Sequence, residues 1–485
     1  MTFIKAEIAT PNPKSTINSY RSFGYNLSTA IADIVDNSIS ANSDEIYLEY
    51  KWKGSDSYIL ILDNGVGMNN EELVLAMTPG SKNPEEERGE KDLGRFGMGL
   101  KTASFSQCKR LTCITKKYDY ATIKRCWDLD FVNEENEWQL LDYVSDNLFF
   151  DKVDMQKHGT LILWEKLDRV VGSADITNES VRNAFYKEML DVKDHLSLVF
   201  HKFIESRKVK IFFQNEEILP HNPFLLHLIP KPEMGQPEVF DNVEITYFIL
   251  PHMSEIGKIE YEKSGGSLGW FLQQGFYIYR GDRLLVAGDW LGLQKKRDFS
   301  KLARIAINFS NSNDFNWQLY IKKSTATPPI EIRKELSRIS KIAILKSAKI
   351  YNWRGQKKAI DIGSSDFHPL WIDEKTRDGI KKYKINRKHP IVKSLLEEKS
   401  KLIAKALKLL EDNVPIELIL TNQNEDPSYH ELEKQTNVPT DELINLAIEL
   451  YRINVLKGVP KELAQQPVMN SIPFNLYPLI NEYLK

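Results

Sequence analysis

GRFGMGLKTAS, residues 94–104, spaces its glycines as G-x-x-G-x-G immediately before the apolar start of a helix. Two better-known phosphate loops are excluded by that order. The P-loop needs Lys directly after the last Gly of G-x-x-x-x-G, whereas Leu100 intervenes here and Lys101 comes one residue late. The dinucleotide loop, G-x-G-x-x-G, opens a helix after an apolar strand; this one follows the charged run NPEEERGEKD, residues 83–92. The meaning of the loop must therefore come from its surroundings.

Upstream, NLSTAIADIVDNSISA (26–41) places Leu27, Ile31, Ile34, Val35 and Ile39 at helical spacing, which predicts one buried stripe. Asp33 and Asn37 are expected on the opposite side, four apart and so stacked together. EIYLEYKW (45–52) and SYILILDNG (57–65) read as strands joined by the polar turn KGSD. A charged segment from Pro79 to Asp92, the glycine loop and the helix start LKTASFSQ (100–107) come next, then strands within 110–130 and at HGTLILWEKL (158–167). The fold class expected is α+β.

A second unit is expected from about Asp175, with a long amphipathic helix (181–206) leading into the strand KVKIFF (208–213). Further strands are expected at EITYFIL (244–250), GFYIYRGDRLL (275–285), RIAINFS (304–310) and WQLYIKK (317–323). From about Pro329 the pattern is mainly helical, and TNQNEDPSYHELEKQTN (421–437) reads as a surface loop or linker.

With 485 residues, 42% hydrophobic and 27% charged, the chain has the composition of an ordinary globular protein with room for two to four domains. A net charge of −2 excludes a globally basic nucleic-acid binder but leaves local patches open. Lys375 to Lys408 is one such patch, with twelve Lys/Arg against three Asp/Glu. Cys108, Cys113 and Cys126 lack paired metal-ligand spacing and are expected to be buried thiols in a reducing compartment. His389 has no second ligand nearby. No apolar run reaches bilayer length and the start MTFIKAEIATPNPK lacks the apolar core of a signal peptide, so a cytoplasmic location without membrane partners is expected.

Four short pieces occur in order: Asp33 with Asn37, DNGVGM (63–68), GRFGMG (94–99) and HGT (158–160). Each is common singly; their joint order on helix, strand end, loop and strand is informative. Together they resemble the GHKL superfamily, the Bergerat-fold ATPases that include gyrase, the large heat-shock chaperones, MutL, histidine kinases and the MORC proteins. GRFGMGLKTASFS with IADIVDNSISA is most similar to MORC and its prokaryotic relatives, with MutL next. FFQNEEILPHNPFL (212–225) and GFYIYRGDRLL add to the MORC likeness.

The resemblance implies a Bergerat ATPase domain over residues 1–172, with an N-terminal arm at 1–25 and an ATP lid at 77–99. It further implies a transducer domain with a ribosomal-protein-like fold at 173–328 and a helical domain at 329–485. ATP and Mg²⁺ are the implied ligands. Asn37 would supply Mg²⁺ with a carbonyl oxygen, a hard donor for an ion whose shell is completed by phosphate and water. Asp63 would accept from the exocyclic amine of adenine, which discriminates against guanine, and Thr160 would support that contact through water. Gly65, Gly67 and Met68 would form the turn beneath the base. Gly94, Gly97 and Gly99 would present N–H groups to the β- and γ-phosphates, with Phe96, Met98 and Leu100 completing the loop and the following helix adding its positive end. Arg95 and Lys101 are either charge partners of the phosphates or solvated cations.

Asp33 stands where the family usually carries the Glu that acts as general base. Asp shortens the reach by about 1 Å, which can cost on the order of 100-fold in rate, so slow hydrolysis is expected. Asp36, three residues on, matches no family role and is expected to be structural. The family's phosphate-sensing lysine is sought at Lys323, taken ahead of Lys322 because strand alternation after Tyr320 sends the two to opposite sides. An ATP-bound homodimer, with the arm crossing to a second subunit, is the expected switch; DNA and a separately encoded effector are the expected partners, in a prokaryotic defence or DNA-processing setting. The alternative is a nucleotide-binding adaptor that does not hydrolyse. A histidine kinase is disfavoured because the motifs begin near residue 30, and a chaperone because its long middle and C-terminal regions do not fit the remaining length.

Overall fold

The computed structural model describes residues 11–81, 98–266, 268–310, 317, 328–357, 370–375, 381–397, 401–414, 439–471, 474 and 477–484. The chain divides into two compact units, Met1–Lys349 and Ile350–Lys485. In agreement with the sequence, the class is α+β.

A seven-stranded sheet organises the start of the first unit. Its strands are β1 (Glu45–Lys51), β2 (Tyr58–Asp63), β3 (Arg110–Lys116), β4 (Ile123–Asp128), β5 (Gly159–Glu165), β6 (Lys210–Phe213) and β7 (Glu216–Glu217). They run in the order β4-β3-β5-β2-β1-β6-β7. The period-two rule sorts the side chains. Ile59, Ile61, Ile162 and Trp164 enter one core, whereas Leu60, Leu62, Leu161 and Leu163 enter another with Phe149 and Val153. Strands β2 and β5 thus bury both faces, which is why YILIL and TLILW are continuous apolar runs.

The helices are α1 (Pro13–Arg21), α2 (Leu27–Ser40), α3 (Asn70–Met77), α4 (Gly99–Phe105), α5 (Leu129–Glu135), α6 (Asn147–Asp154), α7 (Glu179–Val199) and α8 (His201–Glu205). Asn26 caps α2, its side chain accepting from Thr29 N at 2.8 Å. Ile17 of α1 is buried in its own chain's core, and Arg21 donates to Asp168 at 2.6 Å and to the Cys108 carbonyl at 3.1 Å. The described part of the expected arm is therefore anchored on its own subunit; residues 1–10 lie outside the described residues.

Two local expectations change. Asp33 and Asp36 are 2% and 0% exposed, and Asn37 alone of the three polar residues faces solvent. Helix α2 packs against both α4 and α7, so one apolar stripe understates its burial. The segment expected to open the second unit instead completes the first core: Phe185, Met189, Val192 and Leu196 of α7 pack there, and β6 pairs in parallel with β1. A strand partner some 165 positions away leaves no local mark.

A second sheet has the order β12-β11-β13-β10-β8, with β9 also on β10. These strands are β8 (Glu233–Met234), β9 (Glu238–Phe240), β10 (Val243–Ile249), β11 (Gly275–Arg280), β12 (Arg283–Asp289) and β13 (Ala303–Phe309). GFYIYRGDRLL is a tight hairpin: Gly281 and Asp282 both have positive φ, 53° and 69°, the backbone that suits a two-residue turn. Of WQLYIKK only Trp317 is described, stacked on Phe309 at 4.5 Å. The helix Ile330–Lys357 is tied to this sheet region by Ser347 Oγ, which donates to the Phe299 carbonyl at 2.6 Å, and by ion pairs of Arg338 with Glu238 and Lys346 with Glu233.

The second unit contains helices, as expected, and also a hairpin of β14 (Trp371–Lys375) and β15 (Lys381–Ile385). Ala447, Leu450, Val468 and Phe474 lie in its core. Within the basic patch Arg387 pairs with Glu411 at 2.9 Å. The stretch 421–437 lies outside the described residues.

The turn after β2 is a close-packed joint. Gly67 has φ +66°, and a Cβ there would lie 1.8 Å from the Lys116 carbonyl oxygen at the end of β3. A Cβ on Gly99 would meet nothing within 4 Å among the described residues. Gly67→Ala should lower unfolding free energy by roughly 2–4 kcal/mol, whereas Gly99→Ala should leave it within about 0.5 kcal/mol. Urea denaturation of the two variants checks this; equal midpoints would contradict it.

Candidate functional site

Asp63 ends β2 and is 5% exposed. Its Oδ2 accepts from Ser38 Oγ at 2.7 Å and its Oδ1 from Gly65 N at 2.9 Å. Burial pushes the carboxyl above its ordinary value, against the pull of the Ser38, Gly65 and Thr160 hydrogen bonds and of His158. Directly across the sheet, Thr160 is in register with Asp63. Its hydroxyl lies 3.0 Å from Thr115 Oγ1, which also accepts from Met68 N at 3.0 Å. His158 Nδ1 donates to the Gly65 carbonyl at 2.8 Å. Asp63, Gly65, Met68 and Thr160 are thus joined in one polar network at the sheet's end. A Cβ on Gly65 would come within 2.9 Å of Ala41 Cβ, so this turn packs directly on the end of α2.

Ser38 and Thr115 are the members of that network missing from the sequence reading. Ser38 left a trace, because it occupies a position of the buried stripe, seven residues after Ile31 and four after Ile34. A hydroxyl on such a stripe needs a buried partner, and Asp63 is it.

One turn earlier on α2, Asp33 Oδ2 accepts from Tyr25 OH at 2.8 Å, and its Oδ1 lies 3.8 Å from Arg283 Nη2. Arg283 Nε donates to both oxygens of Asp36, at 3.2 and 3.1 Å. Asp36 has the structural partner that its position suggested. Burial, followed by the nearby Asp33 carboxylate, drives the Tyr25 phenol far above its ordinary range, so it remains a donor. Tyr25 and Arg283 were not singled out by sequence; their partners lie 8 and 250 positions away in the chain. Asn37 projects to solvent from the same helix, leaving its amide oxygen accessible to a cation.

Helix α4 begins at Gly99 after Met98, which makes no side-chain cap hydrogen bond. Leu100 packs at the edge of the first core. Lys101 is 2% exposed and its Nζ donates to the Ala76 carbonyl at 2.8 Å. In this geometry it neutralises the C-terminal end of α3 and ties that helix, which precedes the glycine loop, to the one that follows it. Gly94, Arg95, Phe96, Gly97, Lys322 and Lys323 lie outside the described residues, as do residues 82–97 of the expected lid. The three cysteines are buried free thiols, and burial raises the Cys126 thiol to about 11. No described helix is long and apolar enough to cross a membrane.

Comparison with known proteins agrees with this geometry. Residues 25–160 match the family described as "Histidine kinase-, DNA gyrase B-, and HSP90-like ATPase", a span that begins at Tyr25 and ends at Thr160. The chain is similar to "ATPase morc-1" of Caenorhabditis elegans, 30% identical over 89 residues, covering 18% of this chain and 10% of that protein. It is also similar to "DNA mismatch repair protein MutL" of Thermotoga maritima, 34% identical over 96 residues, 19% of this chain and 18% of that one. The matched stretches span less than a fifth of either relative. The motif order, the Asp63 network and the matched span agree in likening residues 25–160 to the GHKL ATPases, with a MORC and a MutL protein among the chain's relatives.

Proposed function

We propose that this chain binds Mg²⁺ and ATP between α2, the end of β2 and the start of α4, hydrolyses the ATP slowly, and uses it to stabilise a closed homodimer. The observation that carries the reading is the buried Asp63, held by Ser38 and Gly65 on the same helix and turn that bear Asn37 and Asp33. The residues fit the ligands: Asn37 offers a hard oxygen at an exposed position, and a Cβ on Gly99 would meet nothing within 4 Å among the described residues. The metal, when bound, neutralises phosphate charge.

Each residue then has a definite task. Asp63 accepts from the adenine amine, with Thr160 supporting it through water. Asp33 orients the attacking water and takes its proton as the oxygen bonds to the γ-phosphorus and ADP leaves. The short Asp side chain and the hydrogen bond that occupies its Oδ2 from Tyr25 both act against a fast reaction. A general base contributes roughly 10²–10⁴-fold, so turnover is slow and suited to timing a conformational switch through differential affinity for the closed state. Gly94, Arg95, Phe96, Gly97, Met98, Gly99 and Leu100 form the phosphate loop and lid hinge, with Lys323 reaching the γ-phosphate from the transducer domain. The first ten residues are the part of the arm left to cross to the second subunit, since α1 is held by its own chain.

The likeness to a MORC ATPase and a mismatch-repair protein supports DNA as the substrate on which the dimer acts, in a prokaryotic defence or DNA-processing system with a separately encoded effector. The basic stretch from Lys375 to Lys408 is the segment proposed to track phosphates.

The wild type should double in mass by light scattering with Mg²⁺ and a non-hydrolysable ATP analogue, and Asn37→Ala should abolish the doubling; an unchanged mass for the wild type would remove the switch. Phosphate release should fall about 100-fold or more in Asp33→Asn and rise in Asp33→Glu; equal rates in all three would favour the non-hydrolysing adaptor. Asp63→Asn should weaken ATP binding about 10-fold or more without lowering the melting temperature at pH 7. The sign follows from the raised carboxyl: stability present with a neutral side chain is lost as pH rises through the folded value, and Asn never ionises. A melting temperature that drops along with binding would contradict this assignment.

A further inference from the structure

Arg283 opens β12 in the second sheet, 5% exposed, yet its guanidinium serves α2 of the first. Nη1 donates to the Leu284 carbonyl at 2.7 Å, Nε to Asp36, and Nη2 faces Asp33 at 3.8 Å. The group also lies over the Phe200 ring, 5.8 Å from its centroid. Three buried charges in one place are a costly way to fill a core, because desolvation offsets most of their attraction and apolar groups of similar volume would pack as stably. The cluster does something apolar packing cannot: it connects the second sheet to the carboxylate assigned to accept the proton.

We propose that Arg283 is a positioning residue for hydrolysis, holding Asp33 ionised and aimed and transmitting movement of the β11–β12 hairpin to it. This rests on Asp33 being the general base. Asp36 anchors the fork through Nε, which leaves Nη2 directed at Asp33 beyond hydrogen-bond length. A shift of less than 1 Å in the hairpin closes that gap or widens it. Closure draws Oδ1 onto the guanidinium; opening removes the nearby cation. The base is thereby sensitive to the sheet that also precedes the phosphate-sensing lysine.

Tyr25 from the preceding loop and Arg283 from β12 face Asp33, Asp36 on its own helix holds Arg283, and His195 on α7 lies within electrostatic reach of Arg283 and Asp36. Tyr25 stays protonated. His195 is pushed down to about 4 by burial and then by Arg283, so it is neutral at pH 7 and adds no charge. An opposite charge at this range favours the ionised carboxylate, so Arg283 sets the lower pH limit of activity.

The test compares Arg283→Gln, Arg283→Lys and the double variant Asp36→Asn/Arg283→Gln with the wild type and Asp33→Asn. The double variant removes both members of the buried pair and so avoids stranding the Asp36 charge. Arg283→Gln and the double variant should lose about 10-fold or more in kcat at pH 7, with the acidic limb of the pH–rate profile moved up by about 1 unit or more and affinity for a fluorescent ATP analogue within about twofold. Arg283→Lys should keep the limb near the wild-type position and recover part of kcat. In ATP-free protein, the His195 ring resonances should titrate at higher pH once Arg283 is lost. Unchanged kcat and limb in Arg283→Gln and in the double variant, with Asp33→Asn inactive, would overturn this role while leaving the base assignment standing. Wild-type turnover in Asp33→Asn would overturn both.

Discussion

A carboxylate at the end of a strand buried on both faces must find its hydrogen bonds locally, and the architecture around Asp63 follows from that requirement. Strand β2 is apolar for five residues and then delivers Asp63 to a place water barely reaches. Ser38 and Gly65 supply its donors. The first fixes the rotation of α2 over the sheet, and the second fixes the turn that packs against Lys116 and Ala41. With α2 held in that rotation, Asn37 points to solvent and Asp33 and Asp36 point inward, where Tyr25 and Arg283 meet them. One hydrogen-bonded carboxylate thus decides which polar residue of the helix meets solvent and which ones are tied to the rest of the protein.

The same arrangement separates binding from timing. Asp63 and its network depend only on elements between Ser38 and Thr160, all within the span matched by the family. The environment of Asp33 draws on Arg283, more than a hundred residues beyond that span. On the proposed reading, recognition of a nucleotide is complete within the first sheet, while the surroundings of the proposed base are shared with the second. For a protein whose proposed task is to hold a state for a time, placing the proposed base under the influence of another sheet is physically sensible.

What was legible in the sequence was local. The helical stripe from Leu27 to Ile39, the strands YILILD and GTLILWE and the hairpin GFYIYRGDRLL all carry their periodicity within a dozen residues, and each formed as read. The pairing of β6 with β1 and the docking of α7 against α2 were invisible, because they join residues far apart whose patterns fit either sheet. The burial of Asp33 was missed for a related reason: a polar residue off the main stripe reads as solvated until a second surface is known to cover it. Lys101 had the opposite fate. Its charge and its place after a glycine loop suggested either a phosphate partner or a solvated cation, whereas its ammonium is buried and rests on the Ala76 carbonyl. The network of Ser38 and Thr115 shows that hydroxyls on buried positions were the overlooked signal.

The central claim is that Asp63 selects adenine at this site. It is tested most directly by equilibrium titration of the Mg²⁺-containing protein with ATP and GTP analogues that resist hydrolysis. ATP should bind at least about 10-fold more tightly, because guanine presents an acceptor to a carboxylate that has none to donate. Equal affinity for the two, or no binding of either, would contradict the account.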